Sequence, residues 1–244
     1  MIKLENVTKH YPTGNTALDD VSFTIDQGEF VFLVGPSGSG KTTLFRMLIR
    51  DTIPTSGSIH IGDWDLVTLP KDRIHLLRKN IGMVFQDLKL LRDRTIYENI
   101  MFPLEVGNID TKEARDRVEG IIERVGIAEH REKFPVQLSG GELQRAAIAR
   151  ALAFSPEILL ADEPTGNLDS TTSWEIIKLL QDINAGGTTI LMATHNADIV
   201  NSLRKRTLIL EKGKLAKDQG GKHAHATNAE HIKEKETEHG EHKT

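Results

Sequence analysis

The sequence predicts an α/β fold with a mostly parallel core sheet, an antiparallel β subdomain and an inserted helical subdomain. Three observations predict it. Short apolar runs bounded by Gly, Thr or Asp alternate with longer helical patterns. Strands buried on both faces and joined by helices read this way. The first strands instead alternate in a half-buried way, which suggests an antiparallel edge or subsheet. Residues 87–155 contain no convincing strand, but they hold two helix starts with capping-box spacing, TIYE at 95–98 and DTKE at 110–113.

In chain order, strands are predicted at 2–7, 21–25, 30–34, 58–61, 81–85, 157–161, 188–193 and 206–211. Helices are predicted at 41–50, 112–125, 140–153, 171–184 and 196–203. The α/β unit spans 1–215, with its helical insertion at about 87–155. From 216 to 244 large apolar residues almost vanish and charges mix. Such a tail cannot bury enough surface to offset ordering, so disorder is expected. Five of the ten histidines fall there: His223, His225, His231, His239 and His242. They read as a metal-binding tract or, given their irregular spacing, as a solvated tail.

The bulk numbers narrow the function. A chain of 244 residues, 38% hydrophobic, suits one large domain or a domain with a subdomain inserted. A formal net charge of −4 lacks the basic excess of nucleic-acid binders, so no nucleic-acid partner is expected. With no cysteine there is no disulfide framework. The N-terminus does not read as a signal peptide. No apolar run approaches the roughly 20 residues that cross a bilayer. Any membrane role is therefore expected to run through a partner.

FVFLVGPSGSGKTTLFRML reads as strand, loop, helix. Its centre fits the phosphate-loop pattern at Gly35, Gly40, Lys41 and Thr42, within Gly35, Pro36, Ser37, Gly38, Ser39, Gly40, Lys41, Thr42 and Thr43. The glycines let backbone N–H groups turn toward phosphate oxygens, and the helix N-terminus adds its positive end. Lys41 reaches the β- and γ-phosphates and the Thr42 hydroxyl ligates Mg²⁺. This makes the core a P-loop NTPase that takes a nucleotide with Mg²⁺. In PEILLADEPTGNLD, an apolar strand ends in Asp162 and Glu163, at the edge where open α/β sheets bind ligands. Asp162 suits Mg²⁺, and Glu163 suits polarising the attacking water. His195 follows the strand TTILMAT, where it would hydrogen-bond the γ-phosphate or the attacking water, and Gln86 ends IGMVF, where it could reach the metal and the water; each is a weak signal alone. Tyr11 either stacks on adenine or packs.

LSGGE at 138–142 is a second glycine loop. Ser139 and Glu142 form a capping box before a helical pattern. A capping box does not require Gly140 and Gly141, which cost roughly 1 kcal/mol each relative to alanine. They would let another group approach a helix N-terminus, itself an anion site. Since the first loop wraps its own nucleotide, the second is expected to face that of another copy. Leu88, Leu90 and Leu91 are either an exposed patch for a partner or packed under the helical insertion.

These motifs, GPSGSGKT, the Gln86 turn, LSGGE, ILLADE, NLD at 167–169 and His195, stand in the order of ABC-type ATPase subunits. Residues 1–215 resemble that family. The resemblance implies a homodimer on ATP binding, paired head to tail around two ATP molecules. It implies that Ser139, Gly140 and Gly141 act in trans on the γ-phosphate, and that Asp169 helps link the two sites. It implies Glu163 as catalytic base and Tyr11 against adenine, with the Gln86 turn forming a groove for a membrane subunit. ADEPTGNLD resembles the branch of lipoprotein-releasing, macrolide-exporting and cell-division ATPases. FQDLKLLRDRTIYENI and ATHNADIVNSLRKRTLILEKGKL resemble the bacterial cell-division members. That implies an FtsX-type integral membrane partner at the cytoplasmic face of the membrane, and ATP cycling that regulates cell-wall hydrolases. An exporter ATPase and a nucleotide-gated division scaffold are the alternatives.

Overall fold

The computed structural model describes residues 1–220. The chain begins with β1 (Ile2–His10), β2 (Thr16–Ile25), β3 (Phe30–Val34) and α1 (Lys41–Leu48). It continues through β4 (Ser56–Ile61), β5 (Trp64–Asp65), α2 (Ile74–Lys79) and β6 (Ile81–Val84). A helical stretch follows: α3 (Ile96–Val106), α4 (Thr111–Val125) and α5 (Gly140–Ala151). The remainder is β7 (Ile158–Asp162), α6 (Ser170–Ala185), β8 (Thr189–Ala193), α7 (Ala197–Leu203), β9 (Arg206–Glu211) and β10 (Lys214–Gln219).

One sheet has the order β10-β9-β3-β8-β7-β6, with β9, β3, β8, β7 and β6 parallel and β10 antiparallel at the edge. The other, β2-β1-β4-β5, is antiparallel. The parallel strands read as unbroken apolar runs because both faces are covered. Alternation divides each between two cores. Phe30, Phe32, Leu159, Ala161, Ile190 and Met192 face the core built with α3 to α6. Val31, Leu33, Ile158, Leu160, Leu191 and Ala193 face α1 and the antiparallel sheet.

Thr95 caps α3 with Glu98 in a capping box, and Asp110 caps α4 through the N–H groups of Lys112 and Glu113. Gly126 closes α4 at φ 71. The helix α2 lacks a clear sequence signal, and α3 is signalled only at its start, by TIYE. The first is six residues long, and the second carries Pro103 in its interior.

The sheet also runs past residue 215. Residues 216–219, expected in the disordered tail, complete β10. Polar residues suit this edge strand, and Arg206 fixes it. The Arg206 side chain is 2% exposed; its Nε and Nη2 donate to Asp218 at 2.9 and 2.7 Å, and its Nη1 to Glu29 at 3.0 Å. Burying that guanidinium requires these carboxylates, which ties β10 to β9. The histidines from His223 onward lie outside the described residues.

Candidate active site

Because β3, β8, β7 and β6 are parallel neighbours, their C-terminal ends open on one side of the sheet. A cavity of about 750 Å³ forms there. Gly35 through Thr43 line it from β3 and α1, Gln86 from β6, Asp162 and Glu163 from β7, and His195 from β8. Tyr11 and Ala17 enter it from the β1–β2 hairpin of the other sheet.

The phosphate-type loop is held by close packing. Gly40 has φ 109, and a Cβ there would lie 2.4 Å from Ala17 O. A Cβ on Gly35 would lie 2.2 Å from Leu210 O. Gly40 is also the N-cap of α1 and provides no side-chain cap, so the first N–H groups of this helix are left for a ligand. Lys41 Nζ donates to Gly35 O at 2.6 Å and to Pro36 O at 3.1 Å. The Ser39 hydroxyl is buried without a partner. A curled backbone, an uncapped helix start and a lysine curled over the loop fit a polyphosphate.

Thr42 Oγ1 donates to Asp162 Oδ2 at 3.2 Å. Burial pushes the Asp162 carboxyl above the usual aspartate value, and the Thr42 hydrogen bond partly offsets this. A divalent cation would relieve the same penalty, and two oxygen donors suit Mg²⁺. Among the described residues, no three His, Cys, Asp or Glu converge on a cage. Mg²⁺ bound by one or two protein oxygens plus phosphates needs none.

Glu163 stands at φ 50, a region that non-glycine residues rarely adopt. Its N–H donates to Ala193 O at 3.0 Å, which fastens it to β8. Its Oε2 lies 2.9 Å from His195 Nδ1. The His195 side chain is 72% exposed and that of Glu163 11%, so the imidazole faces the cavity mouth.

Gln86 leads into a segment with Leu88 and Lys89 at φ 57 and 52. Arg150 of α5 donates 2.6 Å bonds to both carbonyls. Fully buried Asn99 of α3 bonds to Leu91 N and O, Arg94 O and Thr95 O. These two side chains fasten the Gln86 loop to the helical layer. No sequence signal singles them out, because their partners are distant backbone atoms. Leu88 and Leu90 pack against the core, and Leu91 is half-buried.

Ser139, Gly140, Gly141 and Asp169 do not line this cavity. They line a second concavity of about 290 Å³, with Asn167 on the border of both. Glu142 Oε2 accepts from Ser139 N–H at 2.7 Å, and Ser139 Oγ accepts from Glu142 N–H at 3.4 Å. The Ser139 N–H holds the Glu142 carboxyl below its usual range. Asp169 caps α6, accepting from Thr172 N–H at 3.0 Å. The Thr172 hydroxyl and N–H likewise hold Asp169 low.

The ABC transporter family model matches residues 18–166. The cell division ATP-binding protein FtsE of Bacillus subtilis is 47% identical over 219 residues, covering 90% of this chain and 96% of that protein. FtsE of Escherichia coli K12 is 42% identical over 215 residues, covering 88% and 97%. A dimeric ATP-binding cassette in a post-hydrolysis state, bound to ADP and Pi, superposes with a TM-score of 0.81 at 37% identity, covering 90% of this chain and 98% of that one. A Clostridium perfringens protein, part of the ABC transporter complex cbiONQ, superposes with a TM-score of 0.83 at 32% identity, covering 96% and 93%.

Proposed function

The chain belongs to the ABC transporter family, and from that premise we propose that it is the ATP-hydrolysing subunit of a membrane complex acting in bacterial cell division. The observation that carries the ATPase reading is the gathering of a phosphate loop, an acidic pair, a histidine and a glutamine at four parallel strand ends, and the division role is supported by the similarity to the cell division proteins FtsE. Lys41 and the α1 N-terminus bind the phosphates. Thr42 and Asp162, with Gln86, hold Mg²⁺, which supplies charge neutralisation at the phosphates. Glu163 orients and polarises the attacking water, His195 fixes the Glu163 carboxylate, and Tyr11 stacks on adenine.

In this reading ATP binding draws two copies together head to tail. Ser139, Gly140 and Gly141 of one copy meet the γ-phosphate held by the other, and Asp169 links the sites. Support comes from their separation from the chain's own cavity and from the dimeric cassette bound to ADP and Pi. The test is mixing: a Ser139→Arg subunit binds ATP but fails to close its partner's site. Loss of ATP binding by the lone Ser139→Arg subunit would overturn the in-trans assignment.

Among the described residues, no helix is long and apolar enough to cross a membrane. In our reading the chain sits on the cytoplasmic face through an FtsX-type integral membrane protein, and ATP cycling regulates cell-wall hydrolases. Leu88 and Leu90 pack against the core, so in our reading the docking surface shifts to a groove between α2 and the end of α3. That groove measures about 520 Å³ and is lined by Ile74, His75, Arg78, Pro103, Val106 and Phe154. Val106 is 67% exposed. A Val106→Glu chain keeps ATP binding but no longer recovers the membrane partner in a pull-down. Recovery with a lipoprotein-releasing partner instead would overturn the division role.

A further inference from the structure

Tyr11 is held from several sides. It opens the turn between β1 and β2, where its N–H donates to Asn15 O at 2.9 Å and its carbonyl accepts from Gly14 N–H at 3.0 Å. Its hydroxyl lies 3.4 Å from Thr43 Oγ1, at the start of α1. The Lys9 ammonium lies 5.3 Å from the ring centroid. That ammonium is itself tethered, donating to Ile53 O at 2.6 Å in the segment between α1 and β4. Tyr11 lines the nucleotide cavity, and Lys9 does not.

We infer that Lys9 is a positioning and affinity-tuning residue for the nucleotide base, acting through the Tyr11 ring. The inference rests on the reading that Tyr11 stacks on adenine. A cation over one ring face is attracted by the ring quadrupole and draws electron density toward itself. The face left to the cavity becomes poorer in electrons and repels an electron-rich purine less. The Ile53 tether matters because a lysine free to wander loses entropy on meeting the ring. Here the carbonyl holds the ammonium before the nucleotide arrives. Lys9 does not line the cavity that holds the phosphate loop, so its influence on a nucleotide would run through the Tyr11 ring to the base end.

The test compares a ligand that has a base with one that does not. Calorimetric binding of MgATP and of magnesium tripolyphosphate is measured for the full chain and for Lys9→Met, Lys9→Arg and Tyr11→Leu. Lys9→Met should weaken MgATP about two- to fivefold, the size of an exposed cation–π contact. Tripolyphosphate binding should be unchanged, and Lys9→Arg should restore ATP affinity. Equal weakening of both ligands would overturn the inference, because the effect would then lie in the loop or the fold. So would unchanged ATP affinity in Lys9→Met while Tyr11→Leu weakens it. Unchanged ATP affinity in Tyr11→Leu would bring down the stacking reading itself, a separate and recognisable failure.

Discussion

In the loop before α1, Gly40 stands at φ 109 and no side chain caps the helix. In the loop before α5, Gly140 and Gly141 are already helical, and Ser139 with Glu142 closes a capping box. The first loop spends its glycines on backbone shape, because only such a curl turns successive backbone N–H groups inward as a phosphate site requires. The second spends at least one on packing. A Cβ on Gly141 would lie 2.5 Å from Thr172 Cγ2 of α6, and one on Gly140 would lie 3.2 Å from Leu168 Cδ2. Openness to a foreign phosphate is therefore not the sole reason for the glycine pair; close contact with the start of α6 also demands it. The two helix starts differ in the same direction. One has no side-chain cap, while the other has two N–H groups claimed by its own side chains.

The largest expected effect isolates chemistry from both loops. Glu163→Gln should slow hydrolysis by about 10²- to 10⁴-fold, as loss of a general base does. ATP binding should remain and an ATP-bound dimer should accumulate, read by sedimentation. If this variant hydrolyses ATP at the wild-type rate, Glu163 is not the base.

Next come the glycines. Gly40→Ala should abolish ATP binding by the lone subunit and cost roughly 1–3 kcal/mol in stability, since alanine is strained there. Gly141→Ala should leave lone-subunit ATP binding intact but remove hydrolysis. Adding Thr172→Ser removes the colliding methyl and sharpens the comparison. Hydrolysis restored by the double variant would mean that the glycine serves only the packing of α5 on α6. Hydrolysis still absent, with a normal thermal midpoint, would mean that a ligand needs the space.

An acid titration separates the loops again. Burial raises Asp162 above its ordinary value, so the folded state penalises its ionised form, and that penalty disappears as pH falls through the raised value. A proton then competes with Mg²⁺, so Mg²⁺-dependent ATP affinity should weaken from above the ordinary aspartate range downward. Glu142 is depressed, so its contribution is fully present above its ordinary value and is lost only as pH falls through a lower one. Loss of Mg²⁺ dependence should precede loosening of the α5 start, which amide exchange at Ser139 can follow.

The smallest effect is that of the cap itself. Ser139→Ala should cost about 1 kcal/mol, seen as a shift in the denaturant midpoint.

Much of the site was legible because it uses local motifs. The run from Gly35 to Thr43 is contiguous, and Asp162 with Glu163 ends a strand whose apolar run is unmistakable. Gln86 and His195 were readable as polar residues at strand ends. Arg150, Asn99 and Lys9 were not, because each acts on backbone or ring atoms that only the fold brings near. The leucines after Gln86 show the same limit: an apolar triplet in a loop reads equally as a patch or as packing. The Arg206 anchor hides β10 in the same way, since Asp218 is a plain tail residue until a buried guanidinium needs it.

By itself, the sequence determined which strands are buried on both faces, where most of the helices start and which residues are candidates for the phosphate chemistry. These follow from periodicity, capping and contiguous motifs, all written over a few neighbouring residues. Only the tertiary structure decided the strand order that gathers Gln86, Glu163 and His195 around one cavity. It set the distance of LSGGE from that cavity, which the sequence could only anticipate, and it alone gave Gly141 a neighbour in Thr172. Such contacts depend on how sheets and helices pack, and a linear pattern does not encode the distance between residues a hundred positions apart.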